Sequence, residues 1–220
     1  MAALGNLKAV LWDLDGTILD SREQHFNSSR QAFKEYGVDA PMRNTKDHFG
    51  KTTAQILSET AGDLLPKEEL KSLERRRDEI YRSIISEEAI FLPGVEKWLQ
   101  QFQAMGLRQA IASSTAYKNI ETILKALNAA HFFDQIFSGA EMPSKPDPAI
   151  FNLASEKLAV QPQCCLVIED SPFGVSAAKT AGMRCLAVTK TNDAEDLFEA
   201  DIILASLTEL KFQDISKLFL

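Results

Sequence analysis

Asp13-Leu14-Asp15-Gly16-Thr17 sets two carboxylates two residues apart at the end of an apolar run. Along an extended chain, residues i and i+2 point the same way, so both acids can address one cleft. One can act as a nucleophile and the other as an acid or base. Like charges this close push one pKa upward, which suits Asp15 to deliver a proton near neutral pH. The competing reading is a turn rich in Asp and Gly that only ends a strand.

Three further groups stand where a strand ends or a helix begins. Ser113 follows the apolar Ala110-Ile111-Ala112, and its hydroxyl, with the backbone amide of Ser114, can hold a phosphate oxygen. Serines end many strands, so this group is weak alone. Lys145 lies in Ser144-Lys145-Pro146-Asp147-Pro148, a turn stiff enough to hold an ammonium in place. A carboxylate attacking a phosphate dianion meets Coulomb repulsion, which a fixed ammonium reduces. An exposed lysine is the ordinary alternative. Glu169-Asp170-Ser171 closes the run Leu166-Val167-Ile168. Two acids at the end of a buried strand need a cation, and an oxygen-only set favours magnesium over zinc. Asp170 or Ser171 could also cap the following helix, and capping and metal binding can coexist.

The elements that must hold these groups alternate between strand and helix. Lys8–Leu14 reads as a fully buried strand, because Ala9, Val10, Leu11 and Trp12 run on without polar alternation. Further strands are predicted at Arg108–Ala112, Gln135–Ser138, Cys165–Glu169, Arg184–Val188 and Ile202–Leu204. Helices are predicted through Trp98, Leu99 and Phe102 and around Asn119–Leu127, Pro148–Leu158 and Gly174–Ala181, with Pro148 in a first turn. From Ser21 to about Glu88 no strand interrupts a charged segment whose apolar residues, such as Ile80, Ile84 and Ile85, keep helical spacing. The expected fold is a doubly wound, Rossmann-like parallel α/β sheet, residues 1–20 and 90–220, with a helical insertion at 21–89.

Composition narrows the partners. Among 220 residues, 45% are apolar and 25% charged, a soluble globular balance with no apolar segment of bilayer length. A formal charge of −7 argues against nucleic acid, whose phosphates need a dense basic surface. Three cysteines, two of them adjacent, make neither a disulfide framework nor a metal set, so strand packing in a reducing cytosol is expected. The apolar stretch before Trp12 carries Lys8 and runs into Asp13, unlike a signal peptide. A cytoplasmic monomer is the expectation.

Taken together, the four groups resemble the haloacid dehalogenase-like superfamily, in its branch of β-phosphoglucomutase and phosphoglycolate phosphatase with a helical cap. The DxDGT motif is matched by Asp13 through Thr17, the second motif by Ser113, the third by Lys145-Pro146-Asp147-Pro148, and the fourth by Glu169-Asp170 with Ser171, Gly174 and Ala177. Order and spacing agree over nearly the whole chain. The resemblance implies that Asp13 attacks phosphorus to form an aspartyl phosphate, while Asp15 protonates the leaving oxygen and then activates water or a second substrate. Magnesium would be held by the Asp13 carboxylate, the Asp15 carbonyl and Asp170, with Glu169 nearby or bound through water. Ser113, Ser114 and Lys145 would grip the phosphoryl group. The second aspartate points to phosphate rather than carbon–halogen chemistry.

The insertion then reads as a cap that closes over the core and chooses the substrate. His25 stands at a position resembling one used in the sugar-phosphate mutase branch, with a packing histidine as the alternative. Gly50-Lys51-Thr52-Thr53 resembles the cap's specificity loop, which makes Lys51 a candidate. Mutase-like members tend to carry Arg after that glycine where this chain has Thr53, a departure that counts against mutase activity. In Arg75-Arg76-Arg77 consecutive side chains turn by about 100°, so one, Arg77, is taken to face the cleft. His48 and His131 are read as surface or packing residues. The expected activity is magnesium-dependent hydrolysis of a small phosphomonoester, a sugar phosphate or similar metabolite. A β-phosphoglucomutase-like isomerase is the alternative. A non-catalytic phosphate-binding protein is disfavoured by four intact motifs.

Overall fold

A computed structural model describes residues 4–39 and 51–220. β1 (Ala9–Trp12) is buried throughout and lies at the centre of a six-stranded, all-parallel sheet. The others are β2 (Arg108–Ser113), β3 (Gln135–Ser138), β4 (Cys165–Glu169), β5 (Arg184–Val188) and β6 (Ile202–Leu204), in the order β3-β2-β1-β4-β5-β6. The strand order reverses about β1, the switch point where open α/β sheets form a crevice. The predicted strands form at those places, with β2 one residue longer and β1 confined to Ala9–Trp12 of the predicted Lys8–Leu14.

The continuous apolar runs follow from two covered faces. Val10 and Trp12 join one apolar layer with Leu166, Ile168, Trp98, Leu99 and Phe102. Ala9 and Leu11 join the opposite layer with Val167, Cys165, Phe151 and Val175. Each large side chain sealed in these layers contributes about 1.5–3 kcal/mol. Cys165 and Cys185 are buried there and Cys164 is half-buried, all as free thiols. Trp12 donates Nε1–H to Gln109, whose own amide donates to the Leu99 carbonyl, so these two buried side chains are satisfied.

The flanking helices are α4 (Val95–Ala104), α5 (Tyr117–Ala126), α6 (Ala149–Leu158), α7 (Pro172–Thr180) and α8 (Phe212–Leu218). Pro148 stands at the N-cap of α6 rather than in its first turn, and Asp147 accepts the Ala149 amide. Between β1 and α4 the chain forms α1 (Arg22–Glu35), α2 (Thr53–Ala61) and α3 (Lys67–Glu88). These helices bury a separate apolar cluster of Ala32, Phe33, Leu57, Ala61, Leu73 and Ile80. The returning strand meets the outgoing one where the Leu92 amide donates to the Ile18 carbonyl at 2.8 Å. Farther out, Arg82 of α3 donates to Asn119 of α5 at 2.8 Å. Gly50 and His48 lie outside the described residues.

Candidate active site

Register brings the carboxylates together. Trp12 pairs with Ile111 of β2 and Ile168 of β4, and the Asp13 amide donates to the Ile168 carbonyl at 2.9 Å. Asp13 therefore leaves β1 level with the end of β4, where Glu169 and Asp170 follow. Ligand oxygens of Asp13, Glu169 and Asp170 lie within 4.8 Å of one another, and all three residues are buried. Two glycines make the closeness possible. Gly16, at φ +87°, occupies a left-handed turn where a Cβ would overlap the Asp170 carboxylate. A Cβ at Gly174 would overlap the Glu169 carboxylate, which tucks under the start of α7.

Lys145 reaches into this cluster from the turn before α6. Its Nζ lies 2.7 Å from Asp13 Oδ1, 2.6 Å from Glu169 Oε1 and 3.3 Å from the Ala112 carbonyl, and the residue is 4% exposed. Burial disfavours its charge, but Asp13 and Glu169 more than compensate and raise its pKa. Among the described residues, three buried carboxylates face one ammonium, a deficit of positive charge. Burial pushes Asp13 up to about 8 despite Lys145, with Glu169 adding to the rise. Asp170 is raised by burial and then by Glu169 and Asp13. A divalent cation on these hard oxygens would remove the deficit, so the residues present fit one.

The acids are not equivalent. Glu169 Oε1 takes Lys145, while Oε2 takes the amides of Asp170 and Ser171 at 2.9 Å and the Ser171 hydroxyl at 3.0 Å. Among the described residues, Asp13 and Asp170 each take a side-chain donor on one oxygen only, from Lys145 and Thr191 respectively. Asn192 Nδ2 holds the Asp170 carbonyl at 3.0 Å. Ser171 also caps α7 by accepting the Gly174 amide at 3.0 Å. Among the described residues, the buried Thr17 hydroxyl finds no hydrogen-bond partner.

Asp15 has different surroundings. Its Oδ1 accepts from the Ser21 hydroxyl at 2.5 Å and faces His25 Nε2 at 3.0 Å, with the Tyr81 hydroxyl at 3.4 Å. Its Oδ2 accepts from Thr115. Burial alone would raise its pKa, but the contact with His25 and the bonds from Ser21 and Thr115 hold it well below the usual range. This reverses the expectation that Asp15 carries the raised pKa. These donors outweigh the cost of burial at Asp15, whereas Asp13 sits among acids.

Arg77 is 3% exposed and sits behind His25, with Nη2 against the imidazole Nδ1. Arginine only donates, so Nδ1 accepts and the Nε2 hydrogen points at Asp15. Tyr81, one helical turn after Arg77, stacks on the same ring with centroids 4.3 Å apart. Arg77 also bonds Asp78 at 2.9 Å, Thr53 at 3.3 Å and Ser29 at 3.4 Å. Arg76 points elsewhere, to Glu35 and Glu79, as the helical turn requires. Lys51 pairs with Glu59 of α2 at 2.7 Å. Ser113 is buried, and its Oγ accepts the Thr115 amide at 3.2 Å, while Ser114 stays half-buried beside it.

Thr115, Tyr81, Thr191 and Asn192 were not singled out from the sequence. Thr115 stands two residues after Ser113 and Tyr81 four after Arg77, so spacing alone could have drawn attention to both. Thr191 and Asn192 carried no such signal.

Residues 10–188 match the family model described as haloacid dehalogenase-like hydrolase. The chain belongs to this family. It is 33% identical to the YhcW protein of Bacillus subtilis, with 93% of this chain and 94% of the other covered. It is 30% identical to a phosphorylated carbohydrates phosphatase of Thermotoga maritima, covering 90% and 93%. A solved structure of β-phosphoglucomutase from Clostridium difficile is similar with a TM-score of 0.86 and 26% identity, covering 97% of each chain. As a haloacid dehalogenase-like hydrolase, the chain is an enzyme of the phosphoric monoester hydrolase type. Among the described residues, no helix is long and apolar enough to cross a membrane.

Proposed function

We propose that the chain is a magnesium-dependent phosphatase of a small phosphorylated carbohydrate and works through an aspartyl phosphate on Asp13. The observation that carries this reading is the buried group of Asp13, Glu169 and Asp170 with Lys145 between two of its acids. Asp13 and Asp170, with the Asp15 carbonyl, would hold the metal, and Glu169 would support it by fixing Lys145 and the start of α7. When bound, magnesium would neutralise the acids and the phosphate charge, so that an anion can meet an anion.

Asp13 attacks phosphorus, and the bond to the leaving alcohol oxygen breaks. Asp15, protonated, gives its proton to that oxygen. As a carboxylate it then takes a proton from water, which attacks the aspartyl phosphate and releases phosphate. The donors around Asp15 favour the ionised form that the second step needs. Lys145 and the Ser113–Ser114 turn stabilise the transferring phosphoryl group. The helices between residues 21 and 89 act as a cap, in which His25 and Arg77 set Asp15. Substrate entry requires them to lift, which releases Asp15 to take up a proton.

A second reading, transfer of the phosphoryl group to a sugar hydroxyl, draws support from the likeness to the β-phosphoglucomutase of Clostridium difficile. Phosphate release from sugar phosphates, with magnesium or EDTA, tests both for the wild type and Asp13→Asn. Magnesium-dependent release abolished by the substitution supports the phosphatase. Conversion of glucose 1-phosphate to the 6-phosphate without release would replace it with a mutase. Silence in both assays would leave a phosphate-binding protein.

A further inference from the structure

Thr191 and Asn192 lie outside the four motifs, in the segment that joins β5 to β6. Both are buried, while Lys190 and Asp193 on either side are exposed. Farther along, Leu197 tacks the same segment into the apolar layer of Val175 and Ala178. Two adjacent polar side chains turned inward need partners there. Both find them on Asp170.

The bonds run in one direction. Asn192 Nδ2 donates to the Asp170 carbonyl at 3.0 Å and to Thr191 Oγ1 at 3.1 Å, which uses both amide hydrogens. Thr191 Oγ1 thus accepts from Asn192 and has one hydrogen to give. That hydrogen goes to Asp170 Oδ2, because a carboxylate outcompetes the Asp170 carbonyl 3.3 Å away. Oδ2 also lies against Gly16, where a Cβ would overlap it. Arg22 feels the Asp170 charge but turns its Nε and Nη2 to Asp20. Among the described residues, Oδ1 is left without a side-chain donor.

A carboxylate with one oxygen tied offers a cation a single ligand atom. Asp13 is tied in the same way by Lys145, and Glu169 is occupied on both oxygens. Few protein oxygens in fixed places suit magnesium, which keeps several waters and near-ideal octahedral geometry. Calcium takes about 6–8 oxygens and accepts both oxygens of one carboxylate.

We propose that Thr191, aimed by Asn192, is a positioning residue that sets metal selectivity: it ties Asp170 Oδ2, so that Asp170 gives the cation one oxygen and magnesium is preferred to calcium. The inference rests on the magnesium reading above and adds to it a residue from outside the motifs. Without the Thr191 hydroxyl, Asp170 is free to turn both oxygens to the cation, a mode that calcium accepts more readily.

The test is calorimetry of magnesium and of calcium binding to the metal-free wild type, Thr191→Val, Thr191→Ser and Asn192→Ala. Valine keeps the shape of threonine and removes its hydroxyl. In Thr191→Val the preference for magnesium, read as the ratio of the two Kd values, should fall about 10-fold or more, as when a group behind a metal ligand is lost. Thr191→Ser keeps the donor and should stay within about threefold of the wild-type ratio. Asn192→Ala should fall between them, since the hydroxyl remains but is no longer aimed, and it keeps the test open if Thr191→Val does not fold. A loss of packing alone weakens both ions alike. An unchanged ratio in Thr191→Val or Asn192→Ala therefore overturns the proposal, as does a Thr191→Ser protein that behaves like the valine variant. If the wild type binds neither ion, the magnesium reading falls and takes the proposal with it. A ratio that shifts as expected, in a protein that releases phosphate from no sugar phosphate, would sink the phosphatase reading and leave the role of Thr191 standing.

Discussion

Asp13 and Asp15 are two residues apart, yet the regions that hold them differ in kind. Asp13 is fixed by the sheet: β1, β2 and β4 deliver it, Glu169 and the Ala112 carbonyl to Lys145 through strand register. Asp15 is fixed by side chains arriving from α1, α3 and the turn after β2, namely Ser21, His25, Tyr81 and Thr115. The first grip cannot loosen without disturbing the sheet. The second includes helices that bury an apolar cluster of their own, with Tyr81 and Ile85 of α3 reaching into the core layer. Under the proposed mechanism, a site built this way would keep Asp13 still for attack and let Asp15 respond to the helices around it.

The largest expected effect tests the fixed half. Asp13→Asn should lower phosphate release on the order of 10⁴-fold or more, as loss of a nucleophile does. Its melting temperature should stay near the wild-type value, because Lys145 keeps Glu169. Residual turnover within about 100-fold of wild type would mean that another group attacks phosphorus.

Lys145→Met separates stability from catalysis in the same half. It leaves three buried carboxylates without their ammonium, and breaking such a pair costs about 3–5 kcal/mol. Urea unfolding without metal should show that loss, and saturating magnesium should recover part of it. An unchanged midpoint would mean that the acids already bind protons, and the contrast between a charged Asp13 site and a neutral one would fall.

His25→Ala tests the responsive half. Release should fall on the order of 100-fold, the range expected when an acid–base group loses its partner. Unfolding should shift by no more than about 1 kcal/mol, because the ring is partly exposed and packs at a cleft. A large stability loss with full activity would make His25 a packing residue, its ordinary alternative.

The two halves were also unequally legible. The strands ran true to their apolar runs, since a parallel strand covered on both faces needs continuous Val, Ile, Leu and Ala. Asp13, Lys145, Glu169 and Asp170 stood out because acids at strand ends and a lysine held in a proline-rich turn are costly unless used. The partners of Asp15 hid among ordinary types: Thr115 looks like any turn threonine and Tyr81 like any helical aromatic. The direction of the Asp15 shift was misjudged for the same reason, as its repulsion from Asp13 is visible in the chain and its donors are not. Thr191 and Asn192 reach Asp170 from 21 and 22 residues away, a distance that only folding closes. Helix α8 went unforeseen, being only 7 residues long and weakly patterned.

The smallest effect falls on Lys51. Its ammonium pairs with Glu59 on α2 at 2.7 Å, so in the described arrangement it serves the cap's own structure. An ion pair this close to the surface contributes about 0–1 kcal/mol. Lys51→Ala should therefore change kcat/KM by no more than about threefold on any sugar phosphate, with unfolding shifted by less than about 1 kcal/mol. Glu59→Gln should do the same, because either change breaks one bond within the cap. A KM rise of tenfold or more in Lys51→Ala alone, with Glu59→Gln silent, would show that the lysine leaves its partner for the substrate. The cap would then respond to the sugar as well as setting Asp15, and the contrast with the rigid core would widen.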